Sequence, residues 1–258
     1  GVPHHMVAVA DPAESWSVAR YVQAADACVQ DILSRGKLPV LVGGTGLYLD
    51  ALIRGTDFAA GSQGTEIRQA LQHRARTEGI EALLEELRKI DPTAAEKLHL
   101  RDEKRIIRAL EVWQETGRTI TEHDALERQR PPKYDALYIG LDFEDRQALR
   151  DRIDRRVDAM VAQGLLAEVE ALLSGGLPRD ATALQAIGYK QFLAVAEGTA
   201  TTEEAIAEVK LRSRQYAKRQ LTWLRRNPDI FWVRWQRDPN FPEGLQKATE
   251  YLHSRGLC

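Results

Sequence analysis

Two patterns of apolar and polar positions alternate along the chain. Asp11-Pro12-Ala13-Glu14-Ser15 is turn-forming, and Ser15 or Ser17 is placed to cap a helix starting just after it. Val18 to Arg35 has the spacing of that amphipathic helix and stops at Gly36. Leu38-Pro39-Val40-Leu41-Val42 is then a continuous apolar run closed by Gly43-Gly44, which predicts a buried parallel strand. Thr45-Gly46-Leu47-Tyr48 opens another helix, reaching Ile53. Helix, strand, glycine turn and helix in that order predict an α/β sheet with crossovers.

From Thr65 to Glu127 the periodicity is helical throughout. The predicted helices are Glu66–Glu78, Ile80–Ile90, Thr93–Leu98, Asp102–Gly117 and a short one from Thr121, with Gly79, Asp91-Pro92 and Gly117 as stops. Ala136–Phe143 reads as a strand, so the sheet resumes. Residues 58–132 are therefore expected to form an all-helical insertion between two core segments, 1–57 and 133–258. Downstream, Glu144–Ser174 is predicted helical with a break near Gly164, and Thr182–Glu197 helical with Gly188 inside it. Thr202–Arg226 is a long helix capped by Thr201 or Thr202, Ile230–Trp235 a last strand, and Pro242–Arg255 a closing helix.

Composition narrows the class. The 258 residues, 43% hydrophobic and 29% charged, suffice for a large core. The longest apolar runs fall far short of the roughly 20 residues that cross a bilayer. No secretory leader pattern opens the chain. Cys28 and Cys258 have neither metal nor disulfide spacing, and the adjacent His4-His5 would diverge rather than share an ion. A cytoplasmic protein without membrane contact is expected. Net charge is −2, yet Lys210 to Arg226 (KLRSRQYAKRQLTWLRR) holds cations and no acid. A local basic strip of this kind can bind a polyanion without general stickiness.

Four places have chemical potential, each with a plainer alternative. Gly43-Gly44-Thr45-Gly46 lies where α/β sheets bind ligands, with Thr45 facing the crevice; the alternative is a tight turn with no ligand. It is no Walker loop, because G-x-x-x-x-G-K-[ST] occurs nowhere in the chain. Arg152 and Arg156 share one helical face and fit a diphosphate; the alternative is a surface mesh such as Asp151–Arg155. On Arg101 to Glu111, periodicity turns Ile106, Ile107 and Leu110 to the core and leaves Lys104, Arg105 and Arg108 for phosphates or for Glu103 and Glu111. In Lys218 to Arg226, Trp223 among cations can stack a base or serve as a packed anchor.

Taken in order, VPHHMV, DPAESWSVARY, LPVLVGGTGLYLDALI, DPTAAEKLHLRDEKRIIRALEVWQETGRTITE, RIDRRVDAMVAQGLLAEV, LQAIGYKQF and AKRQLTWLRRNPDIFWV resemble the tRNA dimethylallyltransferase (isopentenyltransferase) family over nearly the whole chain. The resemblance implies a P-loop-NTPase-like parallel sheet core with a helical insertion. It also implies transfer of a dimethylallyl group from dimethylallyl diphosphate to N6 of the adenosine beside the anticodon (position 37), with Mg²⁺ as cofactor, held mainly through the diphosphate. The partners implied are the anticodon stem-loop of tRNA and the prenyl donor, met by a monomer. Thr45 matches a threonine lining the channel where base and donor meet. Arg156 matches the arginine on the diphosphate, with Arg152 in support. Arg68, Lys104, Arg105, Ile106, Ile107 and Arg108 match tRNA-contacting positions of the insertion. Gln185, Ala186, Ile187, Gly188, Tyr189 and Lys190 match a core segment touching the stem-loop. So do Lys218, Arg219, Gln220, Leu221, Thr222, Trp223, Leu224 and Arg225. Three departures stand out. The family's phosphate-cradling loop and the aspartate that serves as its base would precede Gly1, so the core is expected to be N-terminally truncated and the fragment inactive by itself. Ala8 stands where members usually have aspartate, and Gln185 where some have arginine.

Overall fold

The computed structural model describes residues 1–56, 58 and 66–257. Thr65, the expected start of the helical block, and Cys258 lie outside them. The chain divides into two compact units, Ala51–Tyr134 and the remainder, Gly1–Asp50 with Asp135–Cys258. The division falls inside a helix, so Ala51 to Arg54 belong with the helical unit rather than with the core segment to which periodicity assigned them.

The helical unit contains α3 (Glu66–Thr77), α4 (Ile80–Ile90), α5 (Pro92–Ala95), α6 (Glu103–Thr116) and α7 (Ile120–Gln129). Leu83, Leu84 and Leu87 of α4 recur at three- and four-residue spacing, which turns them to one side. They meet Leu71 of α3 and Ile106, Ile107 and Leu110 of α6 in one core. Each such side chain contributes roughly 1.5–3 kcal/mol on full burial. Polar caps fix the ends. Thr119 and Glu122 form a reciprocal capping box on α7. The buried Asp91 carboxylate accepts from the Ala94 amide at the start of α5 and from the amide and hydroxyl of Thr121 on α7.

The other unit contains α1 (Val18–Ser34), α2 (Gly46–Arg54, up to Asp50), β1 (Ile139–Phe143), α8 (Arg146–Ala162), α9 (Leu165–Ser174), α10 (Tyr189–Ala196), α11 (Thr202–Leu224), β2 (Phe231–Trp235) and α12 (Phe241–Ser254). The strands β1 and β2 pair in parallel, Ile139 opposite Phe231 and Phe143 opposite Trp235. Parallel neighbours require a long crossover, here supplied by α8 to α11. Those helices bury Val157, Leu165, Val169, Phe192, Ala205 and Val209 together. The chain is thus mostly helical with a small parallel sheet, an α/β arrangement.

Two expectations are corrected. Leu38–Val42 forms no strand and is largely exposed, Val40 at 72% and Val42 at 91%. A strand forms only where an edge accepts its amides, and among the described residues β1 and β2 pair with each other instead. Thr182–Glu197 is not one helix. A 3-10 turn over Thr182–Gln185 and then α10 are separated at Gly188, whose φ of +107° breaks the helical path.

Candidate nucleic-acid interface

Helix α11 organises the site. Ala205 and Val209 bury one side of it in the core, and Tyr216, Gln220 and Trp223 continue that side at four- and three-residue steps. On this stripe rests the glycine turn before α2. The Thr45 carbonyl accepts the Tyr48 and Leu49 amides and so begins α2, while its hydroxyl shares a 3.1 Å hydrogen bond with the Tyr216 hydroxyl. The indole nitrogen of Trp223 donates to Asp50 at 3.1 Å. A Cβ on Gly44 would fall inside 3.0 Å of the Gln220 amide nitrogen, and one on Gly46 inside 3.0 Å of the Trp223 ring. These glycines therefore serve helix packing. Trp223 is an anchor, as its plainer reading had it.

The flank of α11 beside that stripe is tied down by acids. Lys210 pairs with Asp158 and Arg214 with Asp154, both 2.6 Å, which holds α11 against α8. Past its end, Arg225 reaches the buried Asp142 of β1 at 3.2 Å. Asp142 also receives both nitrogens of the Arg146 fork, at 2.7 Å each, and the Phe143 amide. Burial pushes its carboxyl upward, but Arg146, the amide and Arg225 outweigh that and hold it below the usual carboxylate range. Arg225, expected on the RNA, bonds Asp142 through one nitrogen while its side chain stays 53% exposed.

Arg212 pairs with Glu208 one turn back on α11 at 2.6 Å, so Lys218, Arg219 and Arg226 are left. All three are exposed, and none has an acidic partner among the described residues. Arg219 lies over the Tyr216 ring at 5.8 Å and Arg226 over Trp223 at 5.5 Å, contacts that orient a guanidinium without neutralising it. Of the other expected contacts here, Leu221 and Leu224 are half-buried, and the Thr222 hydroxyl donates to the Lys218 carbonyl.

The remaining expected residues divide similarly. In the helical unit, Arg68 donates through two nitrogens to the fully buried Glu111, at 2.9 and 2.5 Å, and Arg108 adds a third bond at 2.9 Å. Ile106 and Ile107 are 0% and 4% exposed, so their side chains pack the core. Lys104 and Arg105 are exposed, Arg105 near Asp102 at 4.0 Å. In the 185–190 segment, Gln185, Ala186 and Lys190 are exposed, while Ile187 and Tyr189 pack against the α8–α11 core. The Gly188 amide donates to Gln191. The Tyr189 hydroxyl donates to Glu168 at 2.5 Å; burial first, and then that carboxylate, push the phenol up to about 12.

Arg152 and Arg156 are exposed and free of acidic partners among the described residues, and Asp151 accepts from Gln147 rather than Arg155. Each lies two positions from Asp154, roughly 200° around α8. Since Asp154 and Asp158 face α11, both arginines sit on the side of α8 turned from it. The structure brings Thr45 to α11 but joins neither arginine to Thr45 by a hydrogen bond. Their expected convergence has no contact behind it.

Tyr216, Asp50 and Asp142 were not singled out from sequence. Tyr216 had a usable signal, four residues before Gln220 and seven before Trp223. Asp50 had none, because its partner lies 173 residues away, and for Asp142 the i,i+4 spacing to Arg146 was a signal while Arg225, 83 residues on, was not. Among the described residues no three His, Cys, Asp or Glu side chains gather as metal ligands, so these residues alone do not fit a protein-ligated Mg²⁺. No described helix is long and apolar enough to cross a membrane.

Residues 1–227 match the model of the IPP transferase family. The chain belongs to that family. Among its curated relatives, the tRNA dimethylallyltransferase of Thermoanaerobacter sp. (strain X514) is 41% identical over 253 residues, covering 98% of this chain and 80% of the relative. The enzyme of the same name from Halalkalibacterium halodurans is 44% identical over 252 residues, 98% and 79% of the two chains. Two solved structures are similar. The full-length tRNA isopentenylpyrophosphate transferase of Bacillus halodurans has a TM-score of 0.69 at 38% identity, covering 98% of this chain and 78% of its own. A eukaryotic dimethylallyltransferase acting on tRNA reaches 0.79 at 27% identity, covering 100% and 67%. Family membership agrees with a GGTG turn seated on a basic helix.

Proposed function

We propose that this protein transfers a dimethylallyl group from dimethylallyl diphosphate, in company with Mg²⁺, to N6 of the adenosine beside the anticodon of tRNA. It works as a cytoplasmic monomer on a P-loop-NTPase-like core, to which β1 and β2 belong. The adenosine leaves its stack to reach the prenyl carbon, as bases do for enzymes that modify them. The exocyclic nitrogen attacks that carbon, the carbon–oxygen bond breaks, diphosphate departs with the electron pair, and the nitrogen gives up one proton to a base or to water. Negative charge grows on the leaving group, so a fixed guanidinium there lowers the barrier. Arg156, with Arg152 one turn away, is available for that because no carboxylate holds it. Thr45 meets the base.

One observation carries the reading: the unneutralised cations Lys218 and Arg219 lie on the same helix that seats the Thr45 turn, and Arg226 follows just past its end. Replacing both Lys218 and Arg219 by alanine is expected to weaken binding of an anticodon hairpin. It should also flatten the dependence of log K on log salt by about 1–2, one phosphate contact per cation. An unchanged slope would remove these residues from the RNA contact. For Arg156→Ala, prenyl transfer should fall about tenfold to a hundredfold, the size of a lost charge-assisted hydrogen bond. Hairpin affinity should stay within twofold; equal losses in both would argue against a diphosphate role.

A further inference from the structure

We propose that Tyr216 is a positioning residue for Thr45, fixing the direction in which the threonine hydroxyl meets the substrate base. This rests on the reading of Thr45 given above. Ser17, Thr119 and Thr201 each turn their hydroxyl onto an amide of the helix they cap, the ordinary behaviour of such residues. Thr45 begins α2 through its carbonyl in the same way, yet among the described residues its hydroxyl takes no amide of that helix. It bonds instead to Tyr216, 171 residues along the chain.

The consequence is chemical. A threonine hydroxyl has one proton and two lone pairs on a freely turning bond. Its bond to the phenol occupies one of these and fixes the rotor, so the remaining capacity points one way. Tyr216 can hold that direction because it is itself fixed. It lies on a long helix, one turn before Gln220, which packs on Gly44, and two turns before Trp223, which packs on Gly46 and bonds Asp50. Arg219 covers its ring. The phenol therefore acts through Thr45 and need not touch substrate.

The test compares kcat and KM for prenyl transfer to an anticodon hairpin in the protein as its gene encodes it, in Tyr216→Phe, in Thr45→Val and in the double variant, with melting curves alongside. Phenylalanine keeps the packing and removes one hydrogen bond, so kcat should fall about tenfold. The KM for the hairpin should stay within twofold, and the melting temperature should not move. In the Thr45→Val background the same change should cause no further loss, since two residues acting as one unit are not additive. An unchanged kcat, an effect on KM alone, or a full tenfold loss in the Thr45→Val background overturns the proposal while leaving the function standing. If the unsubstituted protein transfers no prenyl group, the function falls and this proposal with it.

Discussion

Glu111→Ala is expected to destabilise the helical unit by about 3–5 kcal/mol, the range for removing one partner of a buried ion pair. Glu111 is fully buried on α6 and accepts from Arg68 and Arg108, whose side chains are 23% and 29% exposed. Alanine would leave two half-buried guanidinium groups facing each other across a vacated space. Burial pushes the Glu111 carboxyl upward, but the Arg68 and Arg108 hydrogen bonds outweigh it, and the folded-state pKa is lowered. A depressed acid contributes stability that is full above its unfolded pKa and is lost as pH falls through the folded one. Urea denaturation at neutral pH should therefore show the whole gap between parent and variant. The gap should narrow as the medium is acidified below the ordinary glutamate range. A variant as stable as the parent at neutral pH would mean that the cluster is solvated and that Arg68 and Arg108 are available to RNA after all.

Gly46→Ala is the second large effect. Glycine is normally the poorer residue in a helix, so alanine should gain up to about 1 kcal/mol there. Against this, the new methyl would sit inside 3.0 Å of three atoms of the Trp223 ring. That ring is no flexible tip, since its nitrogen bonds Asp50. Overpacking of this kind costs typically 1–3 kcal/mol and outweighs the propensity gain. Because the whole turn must lift off α11, prenyl transfer should fall further than in Tyr216→Phe, which removes a single hydrogen bond. Activity and melting temperature are both read, and Gly46→Ala combined with Trp223→Leu, which vacates part of the clash, should recover some of each. Parent-like values for the single variant would show that the turn moves freely and that its glycines have another purpose.

The helical unit was the most legible part of the sequence. Its leucines and isoleucines repeat at helical spacing, and Gly79, Gly117 and Asp91-Pro92 punctuate them, so local chemistry alone marks α4 and α6. The Leu38–Val42 expectation failed because an apolar run specifies only that a strand would suit it, whereas pairing depends on an edge elsewhere in the chain. For the site, the basic character of Lys210–Arg226 was visible, but not which cations are free. Glu208, one turn before Arg212 on α11, could be read locally, but Asp142, Asp154 and Asp158 decide the rest, and nothing local to α11 announces them. Ile106 and Ile107 show the converse. The family motif places them among tRNA contacts, while their periodicity alone already turned them toward the core, where the structure has them.

The extended run at Leu38–Val42 has a practical side. It is five residues without a charge, rich in branched side chains and open to water, and its backbone amides are not taken up by either strand. Pro39 has no amide to give a neighbouring strand and interrupts the run as a template for one. In concentrated solution Pro39 should therefore act as a guard, keeping the exposed Val40 and Val42 from joining molecules edge to edge.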